Sequence, residues 1–191
     1  MFLVFVAFYS PTVSSADKSS QEGGGKQAAS QEYPVSYWLV SPVVFISTAY
    51  GEKRNIMTAT AMFVTEKEPI VAISVDKDHL TSELIDKAKG FTLIIASEGQ
   101  EKLVWQVGSV RGDQEDKFER FSIKTLPPKQ GKPLIPIDAA AWLECKLISR
   151  QEVNGYHLVL ARVVDQKDLG KKPLLFHKQV LYGLKQREAK M

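Results

Sequence analysis

One cysteine in 191 residues, Cys145, excludes an internal disulfide framework and any site built from clustered thiolates, whether zinc or iron–sulfur. Three histidines, His79, His157 and His177, stand too far apart to form a spaced metal pair. Charge of one sign is also scarce. With 25 basic and 22 acidic residues the net charge is +3, which gives no electrostatic case for nucleic acid as a partner. No apolar run approaches the ~20 residues needed to span a bilayer. Twelve Gly and nine Pro are too few for a collagen-like or low-complexity chain. What remains is an average globular composition, 44% hydrophobic and 25% charged, with a length that suits one domain and an appendage.

The appendage is N-terminal. Phe2 to Tyr9 is wholly apolar and is followed by Pro11 and small residues ending at Ser14-Ser15-Ala16. That pattern predicts a signal-like leader over residues 1–16, with cleavage before Asp17, although no Lys or Arg precedes the apolar run. A mis-assigned start codon and an extra element of the fold are the alternatives. A true signal would make the protein exported or periplasmic; otherwise it is cytoplasmic. Residues 17–33, rich in Ser, Gln and Gly, predict a flexible linker. Gly25-Lys26 within it lacks the Ser or Thr, the strand and the helix of a phosphate loop. The folded domain is expected over 34–185, with a tail over 186–191.

Within that domain, apolar runs of strand length recur: Val43 to Ile46, Ala59 to Thr65, Ile70 to Val75, Phe91 to Ala96, Trp142 to Ile148 and Tyr156 to Val164. Their β-branched and aromatic content supports strands, and Asn154-Gly155 predicts a type I′ hairpin turn. Thr81 to Lys89 and Gln100 to Val107 carry apolar residues at helical spacing, Thr81 being the expected cap and Gly90 the terminator of the first. Glu115 to Phe121 is a further short turn. The expected class is mainly β, a barrel with short peripheral helices. No G-x-G-x-x-G is present for a Rossmann site.

Two polar clusters stand out. Asn55-Ile56-Met57-Thr58-Ala59-Thr60 offers an amide and two hydroxyls with little bulk where a strand begins, suited to a planar polar ligand or a phosphate; a capped turn is the plainer alternative. Ser74, Asp76-Lys77-Asp78-His79 and Thr81-Ser82 lie between a strand and a helix start, where free N–H groups favour an anion; a solvated loop is the alternative. Cys145, mid-strand, is expected to be a buried structural thiol. Arg111-Gly112-Asp113 is expected to be a solvated turn.

Six segments in order resemble the flavin reductase-like family, the FMN-binding split barrels. They are Ser41 to Thr48; Asn55 to Thr60, against the family's Asn-Gly-Met-Thr-Ala-Ser; Val71 to Val75 with Lys77 and Thr81; Gly112-Asp113 to Asp116-Lys117-Phe118; Ala141 to Cys145; and Pro173-Leu174-Leu175-Phe176-His177. The resemblance covers about Pro42 to Leu184. Ile56 stands where the family has Gly, Thr60 where it has Ser, and Lys178-Gln179 where Gly-Gly follows the last His. The resemblance implies a mainly β split barrel, a homodimer, non-covalent FMN, and NAD(P)H as co-substrate. It implies that Asn55, Met57, Thr58, Ala59 and Thr60 line the flavin. Ser74, Lys77, His79 and Thr81 would lie on its phosphate side, and His177 near the flavin or the nicotinamide. The implied activity is an NAD(P)H:flavin oxidoreductase. The alternative is a flavoredoxin-like electron carrier reduced by a redox partner protein.

Overall fold

A computed structural model describes residues 38–128 and 131–185, so the expected leader, linker and tail lie outside the described residues. Among the described residues, eight strands and three helices run in the order β1 (Ser41–Tyr50), β2 (Lys53–Thr65), β3 (Ile70–Asp76), α1 (Leu80–Ala88), β4 (Gly90–Ile95), α2 (Glu101–Ser109), α3 (Lys117–Arg120), β5 (Ala141–Val153), β6 (Tyr156–Asp168), β7 (Leu174–His177) and β8 (Val180–Gly183). Six of the strands close a barrel in the order β1-β2-β3-β6-β5-β4, all pairings antiparallel, because β1 pairs with β2 on one edge and β4 on the other. The β7–β8 hairpin hangs from the start of β1 through Ser41↔Phe176 and Pro42↔Leu175.

The unbroken apolar run Val43 to Ile46 has a simple cause: β1 is covered on both faces. Its inward residues Val44 and Ile46 join Met57, Ile73, Phe91, Leu93 and Val159 in the barrel interior, where α1 adds Ile85. Its outward residues Val43 and Phe45 join Ile56, Ile94, Val104, Phe118, Trp142 and Phe176 in a second cluster between the barrel wall and α2, α3 and β7. Each large side chain so buried contributes roughly 1.5–3 kcal/mol. The barrel is therefore one wall with a core on either side.

The expected turn at Asn154-Gly155 is present, with both residues left-handed (φ 49° and 84°), as a type I′ hairpin requires. Other boundaries move. Strand β2 begins at Lys53, so Asn55 to Thr60 is strand throughout rather than a strand entrance. Ile56 occupies no turn; it is fully buried in the outer cluster. Helix α1 is capped at His79 rather than Thr81, and its left-handed C-cap is Lys89 (φ 54°), while Gly90 already opens β4.

Candidate functional site

Strand alternation sorts the first polar cluster. Met57 and Ala59 point into the barrel and pack in its core. Thr58 faces outward, and its hydroxyl donates to the Val104 carbonyl of α2 at 2.7 Å. Thr60 is half-buried on the same outer face, beside strand β3, where Ser74 is exposed. Asn55 sits 4% exposed at the barrel end closed by α1, and its Nδ2 donates to Thr81 Oγ1 at 2.7 Å. That bond joins the two sequence clusters. Asn55 Oδ1 is buried without a hydrogen-bond partner.

Around this junction lies a cleft of about 500 Å³, lined in part by Lys53, Arg54, Lys77, Asp78, His79 and Gly112. His79 makes no side-chain cap, so the first turn of α1 presents backbone N–H groups there. Burial lowers the pKa of His79, against the pull of Asp76 in the other direction, so this ring is not a standing cation. Lys77 is exposed and bonded to Glu152 at 3.0 Å, which raises its pKa. Carboxylates also line the cleft, but three of them are neutralised. Asp116 is held by Arg54, Asp113 by Arg111 and Glu83 by Lys87.

Neighbouring contacts tie this end of the barrel together, and sequence reasoning did not single them out. Ser82 Oγ lies 2.6 Å from His157 Nδ1, tying α1 to β6. Arg111 reaches the Asp78 carbonyl at 3.2 Å as well as Asp113. Gly112 is not a freely solvated turn residue, because it abuts the Asn55 side chain. Lys117 is 4% exposed, donates to the Val107 carbonyl at 2.7 Å, and is lowered by burial to about 8. For Lys117 the only prior signal was the resembling segment that contains it, and for Gly112 it was that segment and the turn expected at Arg111-Gly112-Asp113. Glu152 gave none, since it meets Lys77 only through the β3–β6–β5 pairing order.

His177 is not brought to this junction. It ends β7, one step beyond Ser41, whereas Asn55 pairs with Thr48. About 25 Å of strand separates the two places. His177 Nδ1 is buried without a hydrogen-bond partner, and its ring lies 6.4 Å from that of Tyr182. The following turn, Lys178-Gln179, is left-handed at both residues (φ 48° and 61°). The backbone thus keeps a shape that two glycines would adopt without strain, while Lys178 Nζ lies 4.1 Å from the centre of the Trp38 ring. Cys145 is buried, and burial pushes its thiol up to about 12, as an inert structural thiol requires.

The sequence model of the flavin reductase like domain matches residues 36–185. The chain belongs to the flavin reductase like family. In this family member the barrel is shared with solved structures of low identity. An NADH:FAD oxidoreductase of Streptomyces globisporus superposes with a TM-score of 0.71 at 19% identity, over 80% of this chain and 90% of the other. An FMN-binding protein of Thermus thermophilus gives 0.70 at 19% identity, over 87% and 96%. Among curated proteins, the uncharacterized YddH of Escherichia coli is 39% identical over 111 residues, which is 56% of this chain and 59% of that protein's length.

Proposed function

We propose that this flavin reductase-like chain binds FMN non-covalently and acts as an NAD(P)H:flavin oxidoreductase. The observation that carries the reading is the Asn55–Thr81 hydrogen bond, which unites the Asn55 to Thr60 strand with the α1 start. The cleft there fits a phosphate monoester. It has a helix start without a side-chain cap and an ammonium at Lys77, and three of its five lining carboxylates are paired with cations while Glu52 and Asp78 are not. An arriving phosphate competes with Glu152 for Lys77. Thr60 and Ser74 offer hydroxyls on the outer face along which the rest of the ligand extends. The N–H groups of α1 hold the anion end, and Asn55 fixes the helix relative to β2. FMN held there would supply hydride-accepting and electron-donating chemistry between a nicotinamide and an acceptor. The chain's task is to hold the two rings in register, since positioning supplies much of the rate.

The family resemblance further implies a homodimer. Met62 and Phe63 on β2 and Leu158 on β6 are large apolar side chains exposed on the described barrel, and a second copy would cover them. Absorbance titration with FMN tests the binding, and anaerobic bleaching by NADH or NADPH tests the reaction. Saturable flavin uptake followed by bleaching is expected. A protein that stays colourless in excess FMN ends the reading.

One observation favours a second reading, an electron carrier reduced by a redox partner protein. Lys178 closes over Trp38 where the resembling proteins carry glycine, adding a side chain at the turn beside His177. Flavin that binds but is bleached by neither nucleotide selects this reading.

A further inference from the structure

The passage from β3 into α1, residues 77–82, is fastened at three points by the turn end of the β5–β6 hairpin. Lys77 N donates to the Gly155 carbonyl at 3.1 Å, Lys77 Nζ donates to Glu152 at 3.0 Å, and Ser82 Oγ lies 2.6 Å from His157 Nδ1. The Lys77–Glu152 pair is exposed and therefore weak. The contact of Ser82 with His157 is of another kind. Ser82 is 3% exposed, and among the described residues its hydroxyl has no other hydrogen-bond partner. A buried hydroxyl that loses its partner has no water to replace it.

Ser82 closes the first turn of α1. Its N–H donates to the carbonyl of the cap residue His79 at 2.9 Å, and the Glu83 N–H reaches the same carbonyl at 3.4 Å. The N–H groups of Leu80 and Thr81 have no acceptor within the helix, as the first positions of a helix dictate. They are the donors that an anion would meet. The side chains that flank them are bonded to two different walls of the barrel. Strand β2 holds Thr81 through Asn55 at 2.7 Å, and β6 holds Ser82 through His157. Any rotation of α1 about its axis stretches one bond or the other, so the two donors keep one orientation.

The surroundings of His157 leave it to this task. It stands opposite Glu152 in the β5–β6 register and opposite Val75 in the β3–β6 register, and Asp86 of α1 feels its charge. Glu152 is bonded to Lys77, and Asp86 to Lys89. Among the described residues Ser82 is the one hydrogen-bond partner of the ring.

We propose that His157 is a positioning residue of the flavin site: through Ser82 it fixes the Leu80 and Thr81 N–H groups in the orientation that receives the phosphate. The proposal rests on the flavin reading above. Its own content is that a side chain on β6 acts on the ligand through α1.

The test is fluorescence titration of the full chain with FMN and with riboflavin, which carries no phosphate. His157→Phe keeps a ring without Nδ1, and Ser82→Ala removes the hydroxyl. Each should weaken FMN about tenfold and leave riboflavin unchanged, and the two together should cost no more than either alone. His157→Asn, whose amide reaches the place of Nδ1, should restore the FMN affinity. In the ligand-free chain, hydrogen exchange at the Glu83 and Leu84 amides should quicken in His157→Phe and not in His157→Asn. Equal losses for both flavins, full FMN affinity in His157→Phe, additive losses, or no rescue by Asn would each overturn the proposal. A parent chain that takes up neither flavin ends the flavin reading instead. The exchange rates of α1 then decide by themselves whether His157 holds the helix start.

Discussion

The Asn55 side chain is pressed against the backbone of Gly112. A Cβ at residue 112 would stand 2.1 Å from Asn55 Oδ1 and 2.5 Å from its Cγ. Asn55 cannot swing aside freely, because Thr81 holds its amide and the residue is buried. Two segments 57 positions apart in sequence (112 minus 55) are therefore locked by the lack of a methyl group. Gly112→Ala should lower stability by roughly 1–3 kcal/mol through overpacking. Thermal unfolding of the double-mutant cycle with Asn55→Ala checks the cause. The two losses should be less than additive, with a coupling of at least ~0.5 kcal/mol, because the second substitution removes the obstacle. Simple additivity would place the clash elsewhere.

A second prediction concerns the anion end. Lys77→Ala combined with Thr81→Ala should weaken FMN binding at least tenfold, about 1.4 kcal/mol. Glu152→Gln should strengthen it, since Lys77 is then released from its hydrogen-bonded partner. Fluorescence titration of FMN against the three proteins reads both directions. An unchanged dissociation constant in the double variant rejects an anion end built on Lys77 and the Asn55–Thr81 junction.

Lys117 makes stability depend on pH in a defined sense. Buried without a bonded carboxylate, it loses its proton near pH 8 in the folded chain, against an ordinary value of 10.5. Between those values the unfolded chain binds more protons, so folding stability rises with pH. The slope reaches at most about 1.4 kcal/mol per pH unit. Cys145 acts oppositely above its ordinary 9.0, because burial holds the folded thiol protonated up to about 12. Urea unfolding between pH 8 and 9 should therefore show the rise. Lys117→Met should abolish it and leave the decline at higher pH. The same rise in the variant would assign it to another group.

The proposed dimer has its own check. Met62→Asp with Leu158→Asp places charges on exposed side chains of the outer face of β2 and β6 that contribute to neither core cluster. The expected result is a monomer by sedimentation velocity, with a far-ultraviolet circular dichroism spectrum like that of the parent. A dimer of undiminished stability would move the interface off this face.

Much of the barrel was legible because strand signals are local. Val43 to Ile46 reads as a strand from its apolar, β-branched run, and Asn154-Gly155 dictates its own turn through two left-handed residues. The segment Pro173 to His177 was noticed but not as part of a β7–β8 hairpin, since four-residue strands leave little pattern and Lys178-Gln179 is not a usual left-handed pair. The site was legible as two polar segments, but not in its division of labour. Whether Met57 packs in a core or lines a ligand depends on which face of β2 the barrel encloses, and composition is blind to that.

Local chemistry in the chain thus determined a mainly β fold, its principal strands, its tightest hairpin and an inert thiol at position 145. Each follows from steric preference or burial tendency over a few neighbouring residues. The tertiary structure alone decided that Asn55 meets Thr81 and Gly112, that Glu152 claims Lys77, and that His177 lies about 25 Å of strand away from them. Those relations arise where β1 pairs on both edges and closes the sheet. Closure is a long-range act that no short stretch of sequence encodes.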